Sequence, residues 1–207
     1  AEDLPGTSFA GQQDTYLNIK GYENLMGAVQ DCWASLFTDR AISYRIKNGF
    51  DHEHVALSVV IQKMILSEAS GIMFTADPIS GNRNILNIDA GFGLGEALVS
   101  GLVTPDFYQV SDSMIINKQI SRKEIGIFPE EAGGTLKRDI EAGEKDRQVL
   151  LDSQIIELAE IGSNIQKLFE NHTNEKDPSS SFITALWSIL DSYANNKVIF
   201  MAPWSSG

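Results

Sequence analysis

The sequence predicts an α+β fold, with a sheet that is not purely parallel. Three observations point there. Apolar residues recur at three- and four-residue spacing over 25–36 and again over 149–169, the period of an amphipathic helix. Between these stretches lie short β-branched and aliphatic runs bounded by Gly, Pro, Asn and Ser, the composition of strands and their turns. Two of the runs, 55–66 and 71–76, are joined by a short turn, which suggests an antiparallel hairpin.

The chain opens on Ala1-Glu-Asp-Leu-Pro-Gly-Thr-Ser-Phe-Ala-Gly-Gln-Gln-Asp-Thr15, which has no apolar periodicity. Backbone this free of bulk can turn its N–H groups toward one anion. A solvated surface loop suits Gly, Ser and Asp equally well. Leu25, Ala28, Val29, Cys32, Trp33 and Leu36 then share one helical face, and the helix is expected to run to about Lys47 and stop at Asn48-Gly49. Cys32 and Trp33 on that face are expected to pack, while Arg40 and Arg45 complement the helix dipole.

Val55 to Leu66 reads as a buried strand. A turn at Ser67-Glu-Ala-Ser70 leads to a strand over Gly71–Ala76, closed by Asp77-Pro78 and Ser80-Gly81-Asn82. Asn84–Asp89 is a further short strand, and Leu94–Leu102 a short helix entered from a glycine turn. Phe107 to Phe128 alternates as several strands, clearest at Met114-Ile-Ile116 and Glu124-Ile-Gly-Ile-Phe128. Glu130 to Asp146, charged and glycine-containing, is expected to be an exposed connection. Helical period returns from Val149 to Phe169, with Asp152 or Ser153 as the cap. No internal repeat or low-complexity tract appears.

The 207 residues suffice for one domain with a real core, or most of a larger one. A net charge of −12 argues against a nucleic-acid or anionic-membrane surface as the main business. Cys32 is the only cysteine, so no internal disulfide forms and a reducing compartment is the natural home. No apolar stretch reaches spanning length and the start shows no signal peptide, so the expected location is the cytoplasm.

The order of the opening residues closely resembles the glycine-rich nucleotide loop of the ATP-binding domain in the pyruvate phosphate dikinase and phosphoenolpyruvate synthase family, a domain rifampicin phosphotransferases also carry. Three further segments match that family in order. The first is Cys32-Trp-Ala-Ser-Leu-Phe with Tyr44-Arg45. The second joins Val59-Val-Ile-Gln-Lys-Met64 to Ser70-Gly-Ile-Met-Phe-Thr-Ala-Asp-Pro78. The last is Gly91-Phe-Gly-Leu-Gly-Glu-Ala-Leu-Val-Ser-Gly101 with Pro105-Asp106. The resemblance covers about residues 1 to 170 and implies an ATP-grasp-type nucleotide-binding domain, incomplete at both ends.

The chemistry it implies is electrostatic. Phosphoryl transfer needs N–H groups, cations and magnesium around the phosphates, with little covalent work by the protein. By resemblance, Gly11, Asp14 and Thr15 lie against the nucleotide phosphates; for Asp14 the plain alternative is a turn-forming acid. Gln62 interrupts an apolar run, and a buried amide needs a partner. The family reading puts it beside adenine, whereas an edge strand with Gln62 facing solvent is the alternative. Gly93, Gly95 and Glu96 border the active-site cleft by resemblance. The same glycines have G-x-G-x-G spacing, which falls short of the dinucleotide fingerprint.

Asp51-His-Glu-His54 looks like a metal box, but histidines two apart point opposite ways on a strand, and a polar loop fits better. The phosphorylated histidine of the family sits on another domain, so none of His52, His54 and His172 is assigned catalysis, and no metal ligand is assigned either.

Ala1 falls inside a motif, with no initiator methionine before it. The resemblance implies a preceding Arg-Ser-Ser-Ala-Thr stretch and a nucleotide-covering subdomain, so this sequence reads as a piece of a longer protein. Past His172 the family supplies a Pro-Gln-Asp-Ile-Glu-Trp-like strand and a Gln-Ser-Arg-Pro-Ile-Thr-like strand, bringing a glutamate for magnesium and a glutamine and arginine for phosphates. Neither motif is present. The chain reads Lys176-Asp-Pro-Ser-Ser-Ser-Phe-Ile-Thr-Ala-Leu-Trp-Ser-Ile-Leu190 and ends Met201-Ala-Pro-Trp-Ser-Ser-Gly207. Residues 1–172 are therefore expected as a partial ATP-grasp domain, and 173–207 as a divergent or disordered tail.

The function expected is the ATP-binding domain of a phosphoenolpyruvate synthase-like phosphotransferase. It passes the β-phosphoryl group of ATP to a histidine on a separate domain, and from there to pyruvate. Its partners are ATP, magnesium, and the phosphohistidine and acceptor domains of a full-length enzyme. The alternatives are the ATP domain of a rifampicin phosphotransferase and a truncated, non-catalytic remnant. Little or no ATP turnover is expected from the 207 residues alone.

Overall fold

A computed structural model describes residues 14–172, 183–190 and 197–205. The chain divides into two compact units. The first takes the residues up to Met64 together with Pro129–Thr135, and the second takes Ile65–Phe128 and the chain from Leu136 on.

In the first unit, α1 (Tyr22–Ala34) passes through one 3-10 turn, Ser35–Phe37, into α2 (Asp39–Asn48). The single helix expected to Lys47 is thus two. Thr38 breaks it: its backbone is extended (φ −68°, ψ 152°), and its hydroxyl donates to Ser35 O and accepts from the Ala41 N–H. A threonine that caps one turn while closing another offers the backbone an alternative to continuing the helix. The predicted stop holds, with Gly49 left-handed at φ 69°.

The buried stripe is narrower than the apolar one. Ala28, Val29, Leu36 and Ala41 are covered, but Trp33 keeps 49% of its surface exposed. Its expected packing is therefore corrected; this unit has too few elements to cover the whole stripe. Arg45 is corrected as well. Rather than serving the dipole from the surface, it is buried, donating to His52 Nδ1 (2.9 Å) and Leu36 O (2.5 Å). Asn18, at φ 52°, ties Pro129–Thr135 into this unit through Nδ2 bonds to Glu130 O and Gly134 O.

Val55–Leu66 is not a buried strand. It forms no strand, and its burial only alternates between half-buried and exposed from Val55 to Val60. β-branched composition favours extended backbone, but a strand needs a paired neighbour, and none pairs with it among the described residues. The antiparallel hairpin lies one step later in the chain.

The second unit is built on a six-stranded sheet in which each pair of neighbouring strands is antiparallel. The strands are β1 (Ala69–Phe74), β2 (Leu86–Phe92), β3 (Asp106–Ser111), β4 (Met114–Gln119), β7 (Ile183–Leu190) and β8 (Lys197–Ser205), in the order β4-β3-β2-β1-β7-β8. β1 already begins inside the expected 67–70 turn. β3 and β4 are joined by Asp112-Ser113, both at positive φ (49° and 58°), the geometry that matches strand twist in a two-residue hairpin. Between β2 and β3 lies α3 (Glu96–Val99).

β5 (Ile125–Pro129) and β6 (Thr135–Asp139) form a separate pair, so the expected exposed connection over 130–146 contains a strand. Leu136 to Asp139 are all exposed. A strand whose side chains are mostly exposed imprints no apolar alternation on the sequence.

α4 (Asp152–His172) lies across β3 and β4. Ile155, Leu158 and Ala159 on the helix close over Met73, Ile88, Ala90, Tyr108 and Val110 on the sheet. Gly162 permits the approach: a Cβ there would sit 2.7 Å from Met73 Sδ. The two residues expected as caps are instead the first two of the helix. Gln154 Oε1 accepts the Leu151 N–H at 2.8 Å, as in half of a capping box.

Candidate functional site

Of the seven candidate residues, Gly11 lies outside the described residues. Asp14, Thr15 and Gln62 belong to the first unit; Gly93, Gly95 and Glu96 belong to the second.

In the first unit, the Asp14 N–H donates to Ser35 Oγ (3.3 Å), and its carboxylate pairs with Arg40 Nη2 (3.3 Å). Both charged side chains are about half exposed, so the pair is screened and contributes little stability. It does fix the end of the opening loop against the start of α2. Sequence reasoning placed Arg40 at a helix end and missed this pairing, which spans 26 residues and leaves no periodic trace. Cys32 Sγ lies 3.7 Å from Asp14 O. Burial, then the carboxylates of Asp14 and Asp31, push the Cys32 thiol up, away from a reactive thiolate.

Thr15 and Gln62 are exposed. The burial argument for Gln62 therefore falls away, since its amide is already in contact with water. His52, bonded to Arg45, sits in a 3-10 turn over His52–His54. No group of three or more His, Cys, Asp or Glu suited to a metal occurs among the described residues.

The glycine turn of the second unit is firmly built. The Gly93 N–H donates to Glu68 O (2.7 Å) and the Leu94 N–H to Ile127 O (2.8 Å). Gly93 has φ 80°, and a Cβ on it would lie 2.2 Å from Ile127 O. Only glycine fits there. Just before it, Phe92 carries the ammonium of Lys123 at 5.6 Å and the guanidinium of Arg147 at 5.2 Å from its ring centre. Gly95 is half-buried, and Glu96 is exposed at the first position of α3.

The sheet itself has two unlike faces. One is sealed by α4. On the other, the half-buried positions of β1 to β3 alternate: Ile72 and Phe74, Asp89, then Phe107, Gln109 and Ser111. A chain of amides crosses this second face, Asn117 Nδ2 to Gln109 Oε1 (3.1 Å), Gln109 Nε2 to Asn87 Oδ1 (3.2 Å), and Asn87 Nδ2 to Asp77 Oδ1 (3.0 Å). Asp77 also accepts from the Ser80 N–H and hydroxyl; these bonds, the Ser80 hydroxyl foremost, hold its carboxyl below the usual range. Asp89 behaves oppositely, its carboxyl pushed up by burial alone.

A separate cleft of about 700 Å³ opens on the other side of the unit, lined by Thr75, Arg83, Val110, Glu160 and Lys167 among others, and no candidate residue borders it.

Residues 1–175 match the family model described as pyruvate phosphate dikinase, AMP/ATP-binding domain. A rifampicin phosphotransferase of Bacillus subtilis is 56% identical over 169 residues, covering 82% of this chain and 20% of that protein. A probable phosphoenolpyruvate synthase of Methanocaldococcus jannaschii is 53% identical, covering 81% of this chain and 14% of that protein. The phosphoenolpyruvate synthase of Pyrococcus furiosus is 50% identical, covering 80% and 21%. The chain thus spans between 14% and 21% of the length of these curated relatives.

Proposed function

The chain belongs to the pyruvate phosphate dikinase AMP/ATP-binding domain family, and from that membership we propose that it is the ATP-grasp-type nucleotide-binding domain of a phosphoenolpyruvate synthase-like phosphotransferase. The whole enzyme passes the β-phosphoryl group of ATP to a histidine on another domain and then to pyruvate. The observation that carries this reading is the family match itself, which spans residues 1–175.

Each part of the chain then has a task. The opening loop through Gly11, Asp14 and Thr15 presents N–H groups to the phosphates, with its end held by the Arg40 pair. Gln62 and the extended backbone after it lie beside adenine. The Gly93–Glu96 turn, braced by Glu68 and Ile127, borders the active-site cleft. Magnesium bound with the nucleotide would supply positive charge that offsets the phosphates. Among the described residues no helix is long and apolar enough to cross a membrane, and with one cysteine the reading places the enzyme in the cytoplasm.

A second acceptor is supported by the relatives. Rifampicin in place of pyruvate fits a chain 56% identical to a rifampicin phosphotransferase. Incubating the full-length protein with ATP and each acceptor, and following AMP and phosphate release, separates the two. The nucleotide reading itself is tested by calorimetric titration of the full-length protein with Mg·ATP. Binding that weakens in Gln62→Ala supports it, and no binding by the folded full-length protein overturns it.

A further inference from the structure

We infer that Lys123 is a positioning residue for the nucleotide site: its buried ammonium holds Phe92, and through Phe92 the Gly93–Glu96 turn that borders the cleft. The inference rests on the nucleotide reading above, and every residue it uses belongs to the second unit.

The side chain comes first. Lys123 lies in the connection between β4 and β5, yet its side chain is only 1% exposed. Two of the three donors of its ammonium are committed, one to Asp106 Oδ1 (2.6 Å) and one to Ser121 O (2.7 Å). The half-buried ring of Phe92 stands before the same ammonium, with Arg147 as its second cation. A cation over an aromatic face is attracted by the ring quadrupole, and more strongly where water is excluded. Lys123 meets that condition, whereas Arg147 is mostly exposed and paired with Glu144. A buried ion pair adds little stability over apolar side chains of the same shape. What Asp106 and Lys123 do supply is a fixed position for one charge, and hence for the ring beside it.

The backbone comes next. Phe92 is the last residue of β2, and Gly93 follows at once with its left-handed φ of 80°. The Leu94 N–H donates to Ile127 O, and Ile127 belongs to β5, which begins two residues after Lys123. A Cβ on Gly126 would lie 3.1 Å from Phe92 O, so β5 passes directly against the entry to the turn. One short segment, 123–127, thus grips the turn twice, through the Lys123 side chain on Phe92 and through the Ile127 carbonyl on Leu94. A displaced Phe92 must carry Gly93 with it, because Ile127 O already fills the space beside that glycine.

The test uses the full-length protein and two readouts. One is Mg·ATP affinity by calorimetry. The other is hydrogen exchange of the peptide spanning 91–99, which carries the Gly93 and Leu94 amides. Phe92→Leu keeps apolar bulk but offers the cations no ring. It is expected to weaken Mg·ATP binding about fivefold or more and to speed exchange over 91–99, while exchange in β1 and β3 stays as in wild type. Phe92→Tyr keeps the ring and is expected to match wild type in both. Lys123→Met is expected to follow Phe92→Leu, and the double variant to bind no more weakly than either single one. If Lys123→Met does not fold, the two Phe92 variants decide alone. Weaker binding with unchanged exchange, or faster exchange with unchanged binding, would overturn the inference. So would a Phe92→Leu protein that matches wild type in both, or a Phe92→Tyr protein that loses as much as Phe92→Leu. A folded wild-type protein that binds no Mg·ATP would instead remove the nucleotide reading, and this inference with it.

Discussion

Lys123 Nζ donates to Asp106 Oδ1 at 2.6 Å, with the two side chains only 1% and 0% exposed. Asp106 also accepts from Tyr108 Oη (3.0 Å), the Ser121 N–H (3.0 Å) and the Val149 N–H (2.8 Å). One carboxylate thus ties β3 to the connection after β4 and to the approach to α4. Burial, and then the charge of Asp106, push the Tyr108 hydroxyl far up, so it stays a donor. Removing one partner of a buried pair leaves the other uncompensated, which typically costs more than the pair itself contributes. Lys123→Met is therefore expected to destabilise the second unit by about 3–5 kcal/mol, read as a lower urea midpoint. A midpoint within error of wild type would mean the three remaining donors satisfy Asp106 unaided.

Gly93→Ala combines a forbidden φ with a backbone clash at Ile127 O, which no side-chain movement relieves. The backbone strain alone costs about 1–3 kcal/mol. The variant is expected to unfold at lower denaturant and to bind Mg·ATP more weakly. Unchanged values for both would show that the turn relaxes without loss.

Gly162→Ala drives a methyl group to 2.5 Å from Met73 Cε and 2.7 Å from its Sδ, so the end of this fully buried side chain must shift. Overpacking of this size costs about 1–3 kcal/mol. A double-mutant cycle with Met73→Ala should show strong coupling, the double variant being more stable than the sum of the single losses predicts. Additive effects would place the strain elsewhere.

The Asp77 carboxyl is held below its ordinary value by Ser80 and Asn87. A group depressed in the folded state stabilises above its unfolded value, near pH 4, and that contribution is lost as pH falls through the folded value. Stability should therefore drop on acidification below about pH 4, and Asp77→Asn should flatten that limb while lowering stability at neutral pH. Urea midpoints across the acid range check both signs, and an acid limb identical in the variant would remove Asp77 from the account.

How much of this was legible beforehand depended on whether the signal was local. α4 announced itself through Ile155, Leu158 and Ala159, because a helix buried on one face must repeat that face in sequence. Gly49 marked the end of α2 for an equally local reason. Thr38 split a helix through its own hydroxyl, a competition that apolar periodicity does not record. Val55 to Leu66 carried strand composition without a strand, since pairing is supplied by another segment. At the site, the glycine turn at Gly93 was legible from its spacing. The Arg40–Asp14 pair, Asp106 and Lys123 were not, because each depends on which side chains stand opposite across the fold.

The place of β1 in the sheet bears on how the chain is made. β1 pairs with β2 on one edge across a short connection, but on its other edge with β7, Ala69 opposite Ile189 and Phe74 opposite Thr184. Those partners lie 120 and 110 residues apart in the chain. At typical synthesis rates of roughly 5–20 residues per second, the second edge of β1 waits about 5–20 s on the ribosome for its neighbour. During that interval a strand destined for the middle of a sheet behaves as an edge strand, open to pairing with another nascent chain. Yield during expression should therefore depend on translation speed and temperature even in variants whose final stability is untouched.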